Sequence, residues 1–217
     1  MTAGLTVHGY EHSVYTRAVL VALAEKRVAF QFDPIDPFET DPADACRALH
    51  PFGRVPVLSH EGFVIYETAA ILRYVDLAFP HPALIPQNPK AAARMAQVIS
   101  ITDSYGYWPL VRQVFAHRVF RPWEGLAPDE DQIAQGMSQA PRVLRALEDI
   151  AVQGHVLAGP EPTLADCHLA PMIAAFSAAP EGAQMLAEYP ALSAWWSHWA
   201  GRVSMRQTDT GFDREIG

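Results

Sequence analysis

The residues with the clearest chemical potential stand in Gly53-Arg54-Val55-Pro56-Val57-Leu58 and, shortly after, in Phe63-Val64-Ile65-Tyr66-Glu67-Thr68-Ala69-Ala70-Ile71. Val57-Leu58 and Phe63 to Tyr66 are apolar and rich in β-branched and aromatic residues. The polar Ser59-His60-Glu61-Gly62 between them reads as a turn, so the segment predicts two paired strands. Glu67-Thr68 then opens a helix, because Ile71, Leu72, Val75 and Phe79 recur at helical spacing and mark a buried face. A helix start carries unpaired amides and the positive end of the macrodipole, which together receive a carboxylate. A cis Val55-Pro56 bond would offer the Val55 backbone to an extended peptide. A small acidic peptide meets both requirements.

Ser13 is the reactive candidate, in the loop between a strand predicted over Leu5 to His8 and a helix predicted over Thr16 to Glu25. By residue type alone it is a helix N-cap, since a serine oxygen there accepts an orphan amide. A Ser-His-Asp hydrolase built on it is disfavoured, because no GxSxG elbow surrounds it and His12 is merely its neighbour. Tyr10 is the rival hydroxyl. The histidines do not organise into ligand sets. His60-Glu61 fails to extend to HExxH, and His117, His155, His168 and His198 do not recur with acidic residues at ligand spacing, so no metal is expected. Cys46 and Cys167 form no CxxC motif and read as small buried residues.

The elements that must position these groups change character near residue 80. Before it, a strand, a helix and a second strand predicted over Val28 to Asp33 give βαβ, followed by ββα. After it only helical patterns occur. Pro80, Pro82, Pro86 and Pro89 punctuate the junction as a stiff linker, so domains are expected over residues 1–82 and 88–217. The helix beginning near Pro89 meets Gly106 and Pro109, which predict a kink opening a cleft. Tyr105, Tyr107, Trp108, Phe115, Phe120 and Trp123 cluster around it, most of them expected in the core. From Asp129, Ile133, Met137, Ala140, Leu144 and Leu147 form one stripe, with Gly136 and Pro141 working against the helix locally.

Composition bounds the function. The chain has 217 residues, 50% of them apolar, enough for a sizeable core. No apolar run approaches the roughly 20 residues of a membrane span, and Met1-Thr2-Ala3-Gly4 lacks a signal-peptide pattern. A cytoplasmic protein is expected. The net charge of −8 argues against nucleic acid or an anionic membrane as partner, since both reward clustered Lys and Arg.

Val55-Pro56, the Tyr66-Glu67-Thr68 helix start and Ser13-Val14-Tyr15-Thr16-Arg17-Ala18-Val19-Leu20 resemble the thioredoxin-like domain of cytosolic glutathione transferases, nearest to the serine-type theta, phi and bacterial classes. The resemblance continues over nearly the whole chain. Leu84-Ile85-Pro86 is similar to the interdomain linker, and Thr163-Leu164-Ala165-Asp166 to the capping box of a core helix. Tyr189-Pro190-Ala191-Leu192 with Trp195-Trp196 is similar to the last long helix. The resemblance implies an α/β thioredoxin-like domain followed by an all-helical domain, a homodimer, and glutathione as co-substrate. It implies that Ser13 donates a hydrogen bond to the glutathione thiolate, and that Arg54, Val55, Pro56, Glu67 and Thr68 bind the peptide. Tyr10, Tyr105, Trp108 and Arg112 are implied as walls of a pocket for a small apolar electrophile, in a detoxification reaction.

The energetics suit that role. A thiol of pKa about 8.5 is only slightly ionised at neutral pH, and the thiolate is the nucleophile. Lowering the pKa by about two units requires roughly 2.7 kcal/mol. One charge-assisted hydrogen bond supplies roughly 1.5–3 kcal/mol and a helix dipole roughly 0.3–1. The pattern departs from phi-class relatives at Thr40-Asp41-Pro42-Ala43-Asp44, where basic residues that would hold the glycine carboxylate are replaced. Arg54, with His50 second, is the nearest substitute. A glutathione-dependent isomerase, dehalogenase or peroxidase uses the same thiolate, and a non-catalytic binding module keeps the same fold.

Overall fold

The computed structural model describes residues 4–38 and 47–212, so Cys46 and the stretch from Thr40 to Asp44 lie outside the described residues. The chain divides into two compact units, Met1–Leu84 and Ile85–Gly217. The first contains β1 (Leu5–Gly9), α1 (Val14–Glu25), β2 (Gln31–Pro34), β3 (Val57–His60), β4 (Phe63–Tyr66) and α2 (Thr68–Ala78). Its four strands lie in the order β2-β1-β3-β4, with β1 and β2 parallel and the other pairs antiparallel. This is the thioredoxin-like βαβ-ββα arrangement.

Alternation sets the core of this unit. Leu5 and Val7 of β1 and Leu58 of β3 are buried with Ala18, Val19, Ala22 and Leu23 of α1 and Ile71, Leu72 and Val75 of α2. Each large aliphatic side chain so placed stabilises by roughly 1.5–3 kcal/mol. Lys26 and Asp76 join the ends of the two helices: Lys26 Nζ donates to Asp76 Oδ1 at 2.6 Å and to the Pro82 carbonyl at 2.6 Å, while the Leu84 amide donates to Asp76 Oδ1 at 2.8 Å.

Two boundaries differ from expectation. β2 begins at Gln31 rather than Val28, because α1 ends in a Schellman motif. The Val28 amide donates to the Leu23 carbonyl and the Arg27 amide to that of Ala24, with Arg27 at φ 54°. Val28 is thereby spent on closing the helix. The β3–β4 turn is also tighter than predicted. Ser59 and His60 belong to β3, and only Glu61 and Gly62 turn, with φ of 49° and 84°, the left-handed pair a two-residue hairpin requires.

The second unit is helical: α3 (Pro89–Ile101), a π-helix (Thr102–Phe120), α4 (Arg121–Trp123), α5 (Glu130–Ala151), α6 (Leu164–Ala178), α7 (Pro180–Leu186), α8 (Pro190–Ala200) and α9 (Val203–Gln207). Where the kink is expected the helical register changes. The run continues without a break from Pro89 to Trp123, and its widened stretch holds Gly106 and Pro109. A proline withholds an amide and crowds the turn before it, and a wider ring accommodates both. α5 likewise runs through Gly136 and Pro141. A Cβ at Gly136 would lie 2.8 Å from the Pro109 carbonyl oxygen and 2.9 Å from Val114 Cγ2, so this glycine admits the π-helix backbone.

α6 is the buried centre of the unit, with every residue from Leu164 to Phe176 out of solvent. Its first turn is fixed by Asp166, whose Oδ2 accepts from the Thr163 amide at 2.7 Å and the Thr163 hydroxyl at 2.6 Å, and whose Oδ1 accepts from Trp195 Nε1 at 2.7 Å. The buried Glu148 carboxylate accepts the Ala191 and Leu192 amides at 3.0 and 2.9 Å, capping α8 from α5. Cys167 is buried and in no disulfide.

Candidate functional site

The strand register brings the predicted residues of the first unit to one end of the sheet. His8 pairs with Val57, and Val57 pairs with Tyr66. The C-terminal end of β1, the start of β3 and the end of β4 are therefore neighbours. Ser13 follows β1 by a short loop, Pro56 immediately precedes β3, and Glu67 immediately follows β4. Residues far apart in sequence thus share one edge because three strands pair in this order.

Ser13 is the N-cap of α1. Its Oγ accepts from the Thr16 amide at 3.3 Å, its own amide donates to the Tyr10 carbonyl at 3.0 Å, and its carbonyl receives the Arg17 amide at 2.9 Å. The cap consumes a lone pair and leaves the hydroxyl proton to donate elsewhere, so capping and thiolate binding are compatible on one oxygen. The loop depends on Gly9, which the sequence reading passed over. A Cβ there would fall 2.5 Å from Thr16 Cγ2, so only glycine lets the end of β1 approach the first turn of α1. A glycine ending a strand before a serine loop was the available signal. Tyr10 is half-buried, its ring edge-on to His12 at 5.3 Å and to Phe38 at 5.9 Å.

On the sheet itself, Asp33, His8 and Ser59 form a chain: His8 Nδ1 lies 2.7 Å from Asp33 Oδ2, and His8 Nε2 lies 2.9 Å from Ser59 Oγ. The order is that of a hydrolase triad, but Ser59 sits inside the interior strand β3, whose backbone amides serve the ladders to β1 and β4. An oxyanion needs amides turned away from such ladders. The chain is a cross-strand tie.

Val55–Pro56 is cis, the isomer that the sequence reading considered, with Pro56 buried, Val55 half-buried and Arg54 exposed. Glu67 occupies the N-cap position of α2, without a side-chain capping bond, at φ 70° and ψ 114°, a conformation rare for a non-glycine residue. Its side chain is exposed while Thr68 is buried. Beneath them lies His50, with 2% of its surface accessible. Its Nδ1 accepts from the Phe52 amide at 3.2 Å, its carbonyl receives the Gly53 amide at 2.8 Å, and its ring lies 4.5 Å from that of Tyr66. His50 Nε2 lies 3.8 Å from Glu67 Oε1. Burial holds the imidazole below its ordinary value, Glu67 pulls it up, and Arg54 acts with burial. The sequence offered His50 as a substitute for contacting a carboxylate of the ligand; its burial places it behind the loop instead.

The remaining predicted residues lie in the second unit. Tyr105, Trp108 and Arg112 are exposed on the π-helix, Tyr105 at 68% and Trp108 at 59%. The expectation that the aromatic group is mostly core is corrected. Phe115 is buried, Tyr107 and Phe120 are half-buried, and Trp123 is exposed. Phe115, Phe120 and Trp123 gather around Phe212 from the C-terminal segment, with ring centroids 5.2–5.7 Å from it. A residue so distant in sequence gives no local signal.

Comparison with known proteins covers both units. Residues 7–83 match the family model for the glutathione S-transferase N-terminal domain, and residues 130–195 that for the glutathione S-transferase C-terminal domain. The chain is 30% identical over 209 residues to glutathione S-transferase 3 of Zea mays, spanning 95% of this chain and 93% of that protein. It is 27% identical over 208 residues to glutathione S-transferase F7 of Arabidopsis thaliana, spanning 94% and 99%. The solved structure of glutathione S-transferase III in its apo form matches with a TM-score of 0.81 at 28% identity, over 95% of both chains.

Proposed function

The chain belongs to the glutathione S-transferase family, and from that premise we propose that it binds glutathione at the β1–β3–β4 end of the first unit and transfers its sulfur to a small apolar electrophile. The observation that carries this reading is the convergence of three groups on one sheet edge. These are a serine hydroxyl with its proton free to donate, the loop before β3, and a helix start bearing Glu67 and Thr68.

The roles follow from charge and geometry. The Glu67 carboxylate meets the γ-glutamyl ammonium, and the Thr68 amide and hydroxyl meet the γ-glutamyl carboxylate at the start of α2. The Val55 backbone pairs with the cysteinyl peptide. Exposed Arg54 takes the glycine carboxylate. Ser13 then donates to the sulfur and holds it as thiolate, the thiol proton passing to solvent. The sulfur attacks the electrophilic carbon, a carbon–sulfur bond forms, and the leaving group departs with its electron pair. Tyr10, half-buried beside the Ser13 loop, is offered to that second substrate. The family and the composition support a cytoplasmic homodimer acting in detoxification.

Calorimetry with glutathione, together with turnover of a nitro-activated aryl chloride, tests the reading. Stoichiometric glutathione binding and release of chloride with formation of the thioether are expected. Binding without any turnover would leave a binding module, and formation of glutathione disulfide from a peroxide in place of the thioether would make the chain a peroxidase. Absence of binding would overturn the site.

A further inference from the structure

His50 links two parts of the proposed site that are separate in sequence. On one side it organises the Phe52-Gly53-Arg54 loop, through Nδ1 to the Phe52 amide at 3.2 Å and through its carbonyl to the Gly53 amide at 2.8 Å. On the other its Nε2 faces Glu67 Oε1 at 3.8 Å, and its ring lies against Tyr66, the residue before Glu67. Because Nδ1 accepts, the neutral ring carries its proton on Nε2, directed at the carboxylate. That contact is longer than a hydrogen bond and places the imidazole beside the carboxylate without neutralising it. Resting on the glutathione-site reading above, we propose that His50 is a positioning residue: neutral, it sets Glu67 and the Arg54 loop together for the ligand, and protonated, it releases both.

Protonation acts in two ways. A second N–H at Nδ1 cannot accept from the Phe52 amide, so the loop loses an anchor. The new positive charge also competes with the γ-glutamyl ammonium for Glu67. The charged groups facing His50 are Glu67, which favours the cation, and Arg54, which opposes it; Tyr66 and Phe52 present rings. Burial keeps His50 neutral at physiological pH, so release occurs only on acidification.

The test is calorimetric affinity for glutathione over roughly pH 5 to 8 for the parent, His50→Phe, His50→Asn, Glu67→Gln and the His50→Phe/Glu67→Gln pair. His50→Phe preserves the ring against Tyr66 and removes the directed N–H. Roughly three- to tenfold weaker binding at neutral pH is expected, together with loss of the acid-dependent component that the parent shows. His50→Asn, with its own donor and acceptor, regains most of the neutral-pH affinity and keeps the profile flat in acid. Should His50→Phe fail to fold, the flat profile of His50→Asn decides. In the double variant the two penalties fall short of full additivity, because the Nε2 part of the His50 effect acts through Glu67 while the Nδ1 part acts through the loop. Additive penalties, or the parent's acid profile persisting in the His50 variants, would overturn the inference while leaving the site intact if Glu67→Gln still weakens binding. A parent that binds no glutathione at any pH would overturn both.

Discussion

The Ser13 Oγ carries one hydrogen and two lone pairs, and the Thr16 amide takes up one lone pair at 3.3 Å, so the effects of substitution separate. Ser13→Ala removes the cap and the donor together: a stability loss of about 1 kcal/mol and a turnover loss of about tenfold or more are expected from melting and steady-state kinetics. Ser13→Asp retains an equivalent cap but sets a negative charge beside the sulfur, so it should melt like the parent and turn over less than the alanine variant. If Ser13→Asp keeps activity, Ser13 is only a cap and Tyr10 inherits the donor role. Glu67→Gln should fold normally, since the side chain is exposed, and weaken glutathione binding by about 1.5–3 kcal/mol, read by calorimetry against an analogue lacking the γ-glutamyl ammonium. At this scale the sequence made Ser13 and Glu67 legible, because each stands at a helix start that residue type and periodicity reveal. His50 and Gly9 were less so. Their roles come from contacts across strands and loops: the buried ring against Tyr66, and the space that only a hydrogen leaves beside Thr16.

Among the elements, the first turn of α6 gathers three hydrogen bonds on one buried side chain. Asp166 accepts from the Thr163 amide and hydroxyl and from Trp195 Nε1, joining α6 to α8, while burial pushes its carboxyl up. Asp166→Ala leaves those donors unsatisfied and should cost about 3–5 kcal/mol, lowering the melting temperature by about 6–20 °C at about 2–4 °C per kcal/mol. A loss below about 1 kcal/mol would show that the turn stands without it. The motif from Thr163 to Asp166 was readable because a capping box is local. Elements governed by longer-range fit were misjudged. Val28 looks like a strand residue, yet it closes the Schellman turn after α1; Gly136 looks like a helix breaker, yet it seats the Pro109 backbone. Gly106 and Pro109 suggested a kink, and the widening of the helix around them was not foreseen.

For the whole molecule, acid is the informative perturbant. Burial depresses His50 and His117 below the ordinary 6.5, so the unfolded chain binds more protons than the folded one in the window below 6.5. Their contribution is fully present above that value and is lost as pH falls through the window to the depressed folded-state values. Asp166, raised, acts oppositely, adding stability as pH falls through its folded-state value towards its ordinary 3.8. Between about pH 7 and pH 5 the parent should therefore lose more melting temperature, or gain less, than His50→Asn; an equal slope in both would show that His50 does not contribute. The claim on which the rest depends is that bound glutathione is held as thiolate by Ser13, and ultraviolet titration of the enzyme-bound thiol measures it directly. The parent should show a bound-thiol pKa about two units below the free value of about 8.5, and Ser13→Ala a value about one unit or more higher than the parent. A bound thiol that titrates like free glutathione, or identically in both proteins, would contradict it.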